Sequence, residues 1–578
     1  MIEKHPNPQF ARENFLLLDG EWEFEIDNVP TVFYWQPEIW KKESLPGRIR
    51  VPYPVESSLS GVNDKEFNLR LWYRKTFFLS KKFERVLLKF GAVDYEAEVW
   101  VNKRKAFSHR GGYVPFGADI TSFVREGENE VFVCVRDDCT DPRVPSGKQS
   151  PLYNSFSAYY TRCSGIWQPV WLEFCGDAYI ESVRCDARLD GAVAFGIQFG
   201  ASAEGYDVCA EVFFEEKKVA QASARVGAHD CRLYVAIPDP VQWSCGCGNL
   251  YEYRLTLTKD GAVSDRVCGY FAFREVGFAD NVFTLNGKPL FLRLVLDQGY
   301  YKEGVYAPAD AREFARDIRL AMSMGFNGAR LHEKVFDPRY LYFADKMGFL
   351  VWGEYPNFGL SIDKIEALAY ILPEWLSVLK RDVNHPCIVA WCPFNETETN
   401  DFCSGALQDA RVISAVYEAT RMYDPSRPVV DVSGSMHTGV TDIYDVHDYT
   451  QDEKTFVAHY KKGYFELYPD KQSRKGEPYM VTEFGGILWD KEGTSSWGYG
   501  EAPESEGEFL TRFSMMVETL LNNPDCTGFC YTQLYDVEQE KNGLYTFDRE
   551  AKFDPALIGV IVGKRAAVEK QKEDKENG

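Results

Sequence analysis

The first 176 residues alternate apolar and polar positions in short runs. Stretches such as "GEWEFEI", "YEAEVWVN" and "NEVFVCVRD" have the period of two that a half-buried β-strand requires, and turn-forming residues separate them. No helical pattern of useful length interrupts these runs. We therefore predict a jelly-roll β-sandwich over residues 1–176.

The same alternation continues over residues 177–275. About seven short runs, among them "VAFGIQFGAS" and "YEYRLTLTKDG", occupy roughly 100 residues. This number and spacing of strands predict an immunoglobulin-like β-sandwich. No proline-rich or glycine-rich linker marks the boundary near Gly176, so we expect the two sandwiches to pack closely.

From residue 276 onward, apolar strand-like runs alternate with amphipathic helix patterns. "LFLRLVLDQ", "FLVWGEY" and "YMVTEFG" are typical of buried strands, and "ADAREFARDIRLAMSMG" and "ARVISAVYEATRMY" of helices. Eight such β-then-α units over about 300 residues predict a (β/α)8 TIM barrel over residues 276–578. The chain is thus predicted to be a multidomain β plus α/β protein.

Polar residues stand at or near one end of these otherwise apolar barrel runs. A barrel built only for stability does not need them, whereas TIM-barrel active sites lie at the carboxyl ends of the strands. We therefore predict an active site there. The residues in question are Asp297, Arg330, His332, Glu354, Asn395, Glu396, Asp431, His447, Asp448, Tyr449, Glu483, Tyr531 and Asp536.

Two carboxylates in this set indicate a reaction. Glu396 and Glu483 follow the fourth and seventh predicted strands and so face each other across the barrel mouth, which is the arrangement that glycoside hydrolysis requires. Asn395 could bind the sugar 2-hydroxyl, and Tyr449 could hold Glu483 ionised by a hydrogen bond. Two close carboxylates resist joint ionisation, so we expect a high pKa for Glu396 and a low one for Glu483. Glu398 is an alternative acid.

Composition narrows the possible partners. The chain has 65 Lys and Arg against 87 Asp and Glu, a net charge of −22, which argues against binding to nucleic acid or to anionic membranes. Aromatic residues make up 15% of the chain. They suit β-rich cores, and their flat faces also suit the stacking of sugars. We therefore expect a carbohydrate partner.

The amino terminus and the cysteines point to a compartment. The start of the chain has no apolar core of signal-peptide length, and no stretch approaches the roughly 20 apolar residues of a spanning helix. The 15 cysteines are scattered through strand-like runs, as expected of reduced thiols in a cytoplasmic protein. "CGC" at Cys245 to Cys247 has no second pair at zinc-site spacing, so we predict neither metal nor cofactor.

Several longer segments resemble glycoside hydrolase family 2, the group of β-galactosidases, β-glucuronidases and β-mannosidases. The resemblance covers nearly the whole chain in the family's domain order. It is carried by "LLLDGEWEFEID", "LWYRKTF", "TRCSGIWQPVWLE", "TLNGKPLFLRLVLDQG", "HPCIVAWCPFNETE", "YMVTEFGG" and "TGFCYTQLYDVEQEKNGLYTFDREAK".

The resemblance implies an enzyme with defined residue roles. It implies a retaining exo-acting β-glycosidase with Glu396 as general acid/base and Glu483 as nucleophile, and family members often form homo-oligomers. Arg162 lies in an Arg-x-Ser-Gly-Ile segment that the family's first domain also carries. Substrate-binding candidates are then Asn395, Tyr449, His332, Asp297, Glu354, Tyr531, His447 and Arg162.

Departures from the family pattern bear on the sugar. Glu540 and Asn542 stand where glucuronidases carry an Asn-x-Lys pair for the sugar carboxylate, and Glu540 is expected to repel a uronate. Tyr159 stands where large galactosidases carry a sugar-contacting Asp. The ligands of a galactosidase magnesium site are not matched. We predict a β-galactosidase-like enzyme that prefers a neutral β-glycoside to the matching β-glucuronide.

Other activities of the same fold stay open at this point. They are a β-glucuronidase or other uronidase, a β-mannosidase, a pentosidase and a transglycosylase. A non-catalytic carbohydrate-binding protein is more remote, because both carboxylates lie in full motifs.

Overall fold

The computed structural model of the chain describes residues 2–28, 38–397, 408–491 and 496–570. Two β-sandwiches precede a barrel, in the predicted order. Glu398, the alternative acid, lies outside the described residues.

Two facing sheets form the first sandwich, whose strands begin the numbering used below. One sheet has the order β4-β3-β5-β11-β8-β9 and the other β10-β6-β13-β2. Alternation along β11 sends Val131, Val133 and Val135 into the core between the sheets. The strands are β1 (Ala11–Arg12), β2 (Phe15–Leu17), β3 (Gly20–Ile26), β4 (Gly47–Val51), β5 (Arg70–Leu79), β6 (Arg85–Phe90), β7 (Val93–Asp94), β8 (Glu96–Val101), β9 (Arg104–Arg110), β10 (Phe116–Asp119), β11 (Gly127–Arg136), β12 (Gly165–Ile166) and β13 (Val170–Cys175).

The second sandwich borrows a strand from the start of the chain. Its sheets have the orders β1-β20-β19-β16-β17 and β14-β15-β18. Arg12 of β1 donates from Nε to Asp265 Oδ1 at 2.9 Å and also binds Glu173 of β13, so it ties the two sandwiches together. The strands are β14 (Ile180–Ala187), β15 (Ala192–Phe199), β16 (Asp207–Phe214), β17 (Lys217–Arg225), β18 (Asp230–Ala236), β19 (Tyr251–Lys259) and β20 (Ala262–Phe271), followed by a small sheet of β21 (Val276–Ala279), β22 (Val282–Leu285) and β23 (Lys288–Pro289).

A curled parallel sheet forms the barrel. Its strands pair in the order β27-β26-β25-β24-β30-β29-β28. They are fully or almost fully buried, as expected for a sheet with side chains packed on both faces. The strands are β24 (Leu292–Asp297), β25 (Gly328–Leu331), β26 (Leu350–Glu354), β27 (Ile388–Cys392), β28 (Tyr444–Asp448), β29 (Tyr479–Gly485) and β30 (Cys526–Thr532).

The fifth position of the barrel differs from the prediction. The run "PVVDVSG" forms no regular strand but contacts its neighbours through two isolated parallel bridges, Trp391 with Val429 and Asn395 with Ser433. The described sheet therefore has seven strands, and the segment 428–433 lies beside β27 in place of the predicted fifth strand. The bridge at Ser433 is important because it lies directly beside Asn395 and Glu396.

Five of the seven described α-helices on the outside of the sheet begin at a side-chain cap. Asp337 accepts a hydrogen bond from Arg339 N ahead of Pro338, and that helix ends at Gly348 in the left-handed conformation. The helices are α1 (Arg312–Ser323), α2 (Pro338–Met347), α3 (Leu368–Asp382), α4 (Ala410–Tyr423), α5 (Glu453–His459), α6 (Glu506–Leu521) and α7 (Pro555–Val562).

The first sandwich packs directly on the barrel. Tyr113, Tyr160 and Trp167 of the sandwich belong to the same hydrophobic cluster as the barrel strands. All cysteines in the described ranges are free thiols. None of the helices in these ranges is long and apolar enough to cross a membrane.

Candidate active site

Asn395 and Glu396 follow the end of β27. The Asn395 backbone is held on both sides by Asn357, whose Oδ1 accepts from Asn395 N at 2.7 Å and whose Nδ2 donates to Asn395 O at 3.1 Å. Glu396 N donates to Ser433 O at 3.1 Å. Glu396 has φ +41°, in the left-handed region that residues other than glycine rarely adopt. This strained backbone conformation fixes the direction of its carboxylate.

Glu483 lies in β29 and is almost fully buried. Arg330 Nη1 donates to its Oε1 at 3.1 Å, and the Tyr449 hydroxyl donates to its Oε2. Burial raises the pKa of Glu483, but the charges of His447, His332 and Arg330 outweigh it, so the pKa lies below the usual value. Glu483 is therefore ionised at neutral pH, as a nucleophile must be.

An oxygen of Glu396 and an oxygen of Glu483 lie within 4.8 Å of each other. Retaining glycosidases place their two carboxyl groups about 5–5.5 Å apart, whereas inverting enzymes need about 6.5–9.5 Å to admit a water molecule. The short separation therefore fits the retaining mechanism.

Arg330, at the end of β25, connects the components of the site. Its Nε donates to Glu354 Oε1 at 2.5 Å, its Nη2 to Asn395 Oδ1 at 3.1 Å, and its Nη1 to both Glu483 and Thr482 O. Burial would lower the pKa of Arg330, but the adjacent carboxylates raise it well above its usual value. Arg330 therefore stays charged and fixes the positions of three neighbouring side chains.

His447 lies between the two carboxylates. Its Nδ1 is 2.6 Å from Glu396 Oε1, and its Nε2 is 3.5 Å from Glu483 Oε1 and 3.2 Å from Ser433 Oγ. Burial alone would lower the pKa of His447, but the two carboxylates raise it above the usual value. The two carboxylates thus favour the charged, doubly protonated form of the imidazole.

This arrangement overturns the expected high pKa of Glu396, whereas the pKa of Glu483 is lowered as expected. Burial raises the pKa of Glu396, but the hydrogen bond and charge of His447 lower it to about 2. The expectation of a high pKa for Glu396 is wrong because it omitted His447. The proton that a general acid needs is held by the His447–Glu396 pair rather than by Glu396 alone.

The other predicted substrate-binding residues divide into two groups. His332 and Glu354 belong to the site: His332 Nδ1 lies 3.3 Å from Glu354 Oε2 and 3.7 Å from Glu483 Oε1. Burial raises the pKa of Glu354, but Arg330 and His332 lower it to about 2. His332 therefore lies next to Glu483, and Glu354 contacts both His332 and Arg330.

Three predicted residues have their contacts elsewhere. Asp297 accepts from the hydroxyls of Tyr535 at 2.5 Å and Tyr340 at 3.2 Å. The ring of Tyr531 packs edge-on against Phe484 and Phe513. Arg162 donates to backbone carbonyls of the first sandwich, among them Ser150 O at 3.3 Å, and lies over the ring of Phe67. These contacts stabilise the fold around the site.

Tyr499 shapes the site but was not among the residues predicted from the sequence. Tyr499 stacks face to face on Tyr449, with ring centroids 3.5 Å apart. Burial raises the pKa of the Tyr499 hydroxyl, and the charges of Glu396, Glu483 and Glu540 raise it further, so this hydroxyl lies within electrostatic range of all three carboxylates. Tyr499 lies in a loop with no motif, and its sequence context contains no signal that could have found it.

Two clusters of possible metal ligands occur among the described residues. One is Glu396, His447 and Glu483, the group just described. The other is Asp345, His385 and Cys387, where Asp345 already accepts from Cys387 N and contacts His385 Nδ1 at 2.5 Å. These contacts indicate that the second cluster has a structural role in the core.

Comparisons with protein families agree with the domain order. The model described as "Glycosyl hydrolases family 2, sugar binding domain" matches residues 11–167. The model described as "Glycosyl hydrolases family 2, TIM barrel domain" matches residues 276–513.

The following curated relatives are all named as beta-glucuronidases. A putative beta-glucuronidase of Formosa agariphila is 28% identical over 386 residues, which are 62% of this chain and 44% of that protein. This chain thus spans less than half of the length of that relative. The beta-glucuronidases of Rattus norvegicus and Homo sapiens are each 25% identical, over 73% and 72% of this chain and 68% of those proteins.

Solved structures share the fold. The beta-glucuronidase of Bifidobacterium dentium, complexed with coumarin-3-O-glucuronide, superposes with a TM-score of 0.80 over 96% of this chain and 97% of that one, at 20% identity. The Ruminococcus gnavus enzyme in complex with D-glucuronic acid gives 0.79 over 97% and 99%, at 19% identity.

Proposed function

The chain belongs to glycosyl hydrolase family 2 and is a glycoside hydrolase, and we propose that it releases terminal β-linked sugars with retention of configuration. The observation that carries this proposal is the pair of carboxylates Glu396 and Glu483, whose oxygens lie within 4.8 Å.

In the first step Glu483 attacks the anomeric carbon while the leaving oxygen takes, through Glu396, the proton that the His447–Glu396 pair holds. Tyr449 and Arg330 keep Glu483 ionised and oriented for this attack. Within the described part of the chain, Asn395 Nδ2 is buried without a hydrogen-bond partner, so it is available to donate to the sugar 2-hydroxyl. That bond strengthens in the oxocarbenium-like transition state and lowers the barrier.

In the second step Glu396 acts as the base. It takes a proton from the water molecule that attacks the covalent intermediate, and Glu483 leaves as a carboxylate. His447 is in contact with Glu396 throughout, so the proton that Glu396 gains has an adjacent acceptor. The two steps invert the anomeric carbon twice and therefore retain its configuration.

For the sugar, we infer a β-linked uronic acid of the glucuronide type. This replaces the β-galactoside predicted from sequence, because the relatives named above are β-glucuronidases. Glu540, which was expected to repel a uronate, is buried and accepts from Tyr160 and Asn542. Burial raises the pKa of Glu540 to about 7, so much of its population is uncharged in mildly acidic solution.

A panel of aryl β-glycosides tests this proposal. We expect the highest kcat/KM for the β-glucuronide among the β-glucuronide, β-galactoside, β-mannoside and β-xyloside of one aglycone. NMR of the first-formed product should show the β-anomer. A highest value for the β-galactoside would contradict the sugar assignment, and an α-anomer would contradict the mechanism.

A further inference from the structure

Lys148 is a buried cation that the mechanism does not use. It lies in the first sandwich, and its side chain is 93% buried, since only 7% of the residue is exposed. Its ammonium lies 4.6 Å from the ring centroid of Phe358 and 5.9 Å from that of Tyr159. Among the described residues no carboxylate or carbonyl forms an ion pair or hydrogen bond with this ammonium. The residue is buried, but its ammonium is not among the enclosed polar atoms that lack a partner, so an anionic ligand can reach it.

The backbone around Lys148 is held firmly against the barrel. Ser146 N and Gly147 N both donate to Phe358 O, at 2.8 and 3.1 Å, and Lys148 O accepts from Tyr160 N at 2.8 Å. Gly147 has φ +56°, and a Cβ there would lie 2.4 Å from Glu333 O. Only glycine allows this close approach, so the loop presents Lys148 from a fixed position.

The position of Lys148 places it beside the catalytic centre. Burial and then the His447 hydrogen bond dominate the pKa of Glu396, and the charge of Lys148 is among the further causes that lower it. The same charge acts on Glu540, whose Oε2 accepts from the Tyr160 hydroxyl. Phe358, whose ring the ammonium contacts, directly follows Asn357, the residue that holds the Asn395 backbone, so Lys148 lies near Glu396 as well as near Glu540.

The nearby arginines are already engaged. Arg330 donates to Glu354, Glu483, Asn395 and a backbone carbonyl. Arg162 donates to backbone carbonyls of its own domain. In this neighbourhood of the described structure, Lys148 is thus the cation with its charge available to a ligand.

We propose that Lys148 binds the carboxylate of the uronic acid and so replaces the cation that Glu540 and Asn542 do not supply. This inference rests on the proposed uronide specificity. Phe358 and Tyr159 lie beside the ammonium and limit the water around it, which strengthens its attraction for a carboxylate. The first sandwich would then determine which sugar the barrel accepts.

Lys148→Met tests this assignment, with Lys541→Met as the matched control. Methionine keeps the length and apolar packing of the side chain and removes only the charge. Lys541 is a residue of the Glu540–Asn542 segment itself, but it lines a separate cavity of about 830 Å³ together with Asp536 and Lys552. The measured quantity is the ratio of kcat/KM for the aryl β-glucuronide to kcat/KM for the matching aryl β-glucoside.

We expect Lys148→Met to lower this ratio by about 30-fold or more, because truncating one partner of a buried charge pair has an effect of at least this size. Lys541→Met should change the ratio by less than about threefold, and Lys148→Arg should recover part of the loss. D-Glucuronate should raise the Tm of the wild type more than that of Lys148→Met. A Tm of Lys148→Met without ligand at or above the wild-type value would show that the variant folds.

The outcomes separate this inference from the proposed function. A wild type that prefers the β-glucoside overturns the uronide assignment and the role of Lys148 with it. A wild type that prefers the β-glucuronide, with the ratio unchanged in a folded Lys148→Met, overturns only the role of Lys148. An equal fall of the ratio in Lys541→Met and Lys148→Met would also overturn it, because the cation would then not be specific to this position.

Discussion

Replacing His447 by glutamine should move the alkaline limb of the pH profile toward acid. In the wild type His447 holds the proton next to Glu396, at an Nδ1–Oε1 distance of 2.6 Å. Glutamine has a similar reach and keeps an amide donor, but it cannot carry a charge. In the variant the proton needed for leaving-group departure must be held by Glu396 itself.

The size of the shift follows from this contact. A charge-assisted hydrogen bond contributes about 1.5–3 kcal/mol, which corresponds to about one to two pKa units. The wild-type pair loses its proton above the usual histidine pKa of about 6.5, because the pKa of His447 is raised. In the variant Glu396 keeps the burial that raises its pKa above the usual glutamate value of about 4.3, and the charges of Lys148 and His332 that lower it, but it loses the larger effect of His447. We expect the limb to move acidward by about one to two units.

The assay is kcat/KM from about pH 4 to pH 9, which reports the free enzyme up to the first irreversible step. It should use two aryl glycosides of the preferred sugar. A methylumbelliferyl glycoside needs help from the acid, whereas a dinitrophenyl glycoside departs without a proton and should show no such limb in either protein. The dinitrophenyl profile is therefore the internal control for loss of fold or of Glu483.

Two results would refute the reasoning. If the alkaline limb coincides in the wild type and His447→Gln, the proton does not reside on the His447–Glu396 pair. If the dinitrophenyl glycoside shows the same shift, the limb reports a group other than the general acid.

The remaining predictions concern the two carboxylates and their partners. Tyr449→Phe removes the hydroxyl that donates to Glu483 and keeps the ring stacked on Tyr499, so kcat/KM should fall about 10- to 150-fold and the acid limb should move upward; an unchanged acid limb would show that the bond does not hold Glu483 ionised. Glu483→Ala should abolish turnover of every substrate, and azide should give the α-glycosyl azide. Glu396→Ala should keep a burst with a dinitrophenyl glycoside, and azide should restore turnover with the β-glycosyl azide as product. If Glu398→Ala shows that burst while Glu396→Ala resembles the wild type, Glu398 is the acid.

The proposed catalytic pair could be selected from the sequence because the signal is local. A buried strand that ends in a carboxylate is visible in a few residues, as in "AWCPFNE" and "YMVTEFG". Tyr449 and His447 were found for the same reason. The three-part architecture was also predictable, because the change from alternating to helical periodicity at residue 276 is a pattern that extends over many residues.

The same signal also selected residues that face away from the site. Side chains of a strand alternate between its two faces, so the direction of one residue fixes that of the next. In β30, Thr532 contacts Tyr449 at 3.0 Å, and Tyr531 beside it therefore points at Phe513 in the helix layer. A set of polar residues at a strand end contains side chains of both faces, so only some of them can reach the site. Arg162 was selected by its motif, but its bonds stabilise its own loop.

Long-range contacts account for what no local pattern could reveal. Lys148 and Glu540 are about 390 residues apart in the chain, and they are brought together because Tyr160 N binds Lys148 O while its hydroxyl binds Glu540. His447 was assigned to substrate binding because nothing in "YDVHDY" shows that its ring lies between two carboxylates. Its effect on their pKa values depends on distances that only the folded chain defines.

The contact between the first sandwich and the barrel explains why both are needed for one site. The barrel supplies the two carboxylates, but Tyr160 from the sandwich donates to Glu540 in the loop after β30. The sandwich also docks Ser146 and Gly147 on Phe358, in the loop after β26. Loss of the sandwich would leave Glu540 and Phe358 without these partners, whereas the bonds of Arg330 to Glu354 and Glu483 lie wholly within the barrel. Under the proposed function, the barrel contains the reaction chemistry, and its contact with the sandwich holds Glu540 and Phe358 in place.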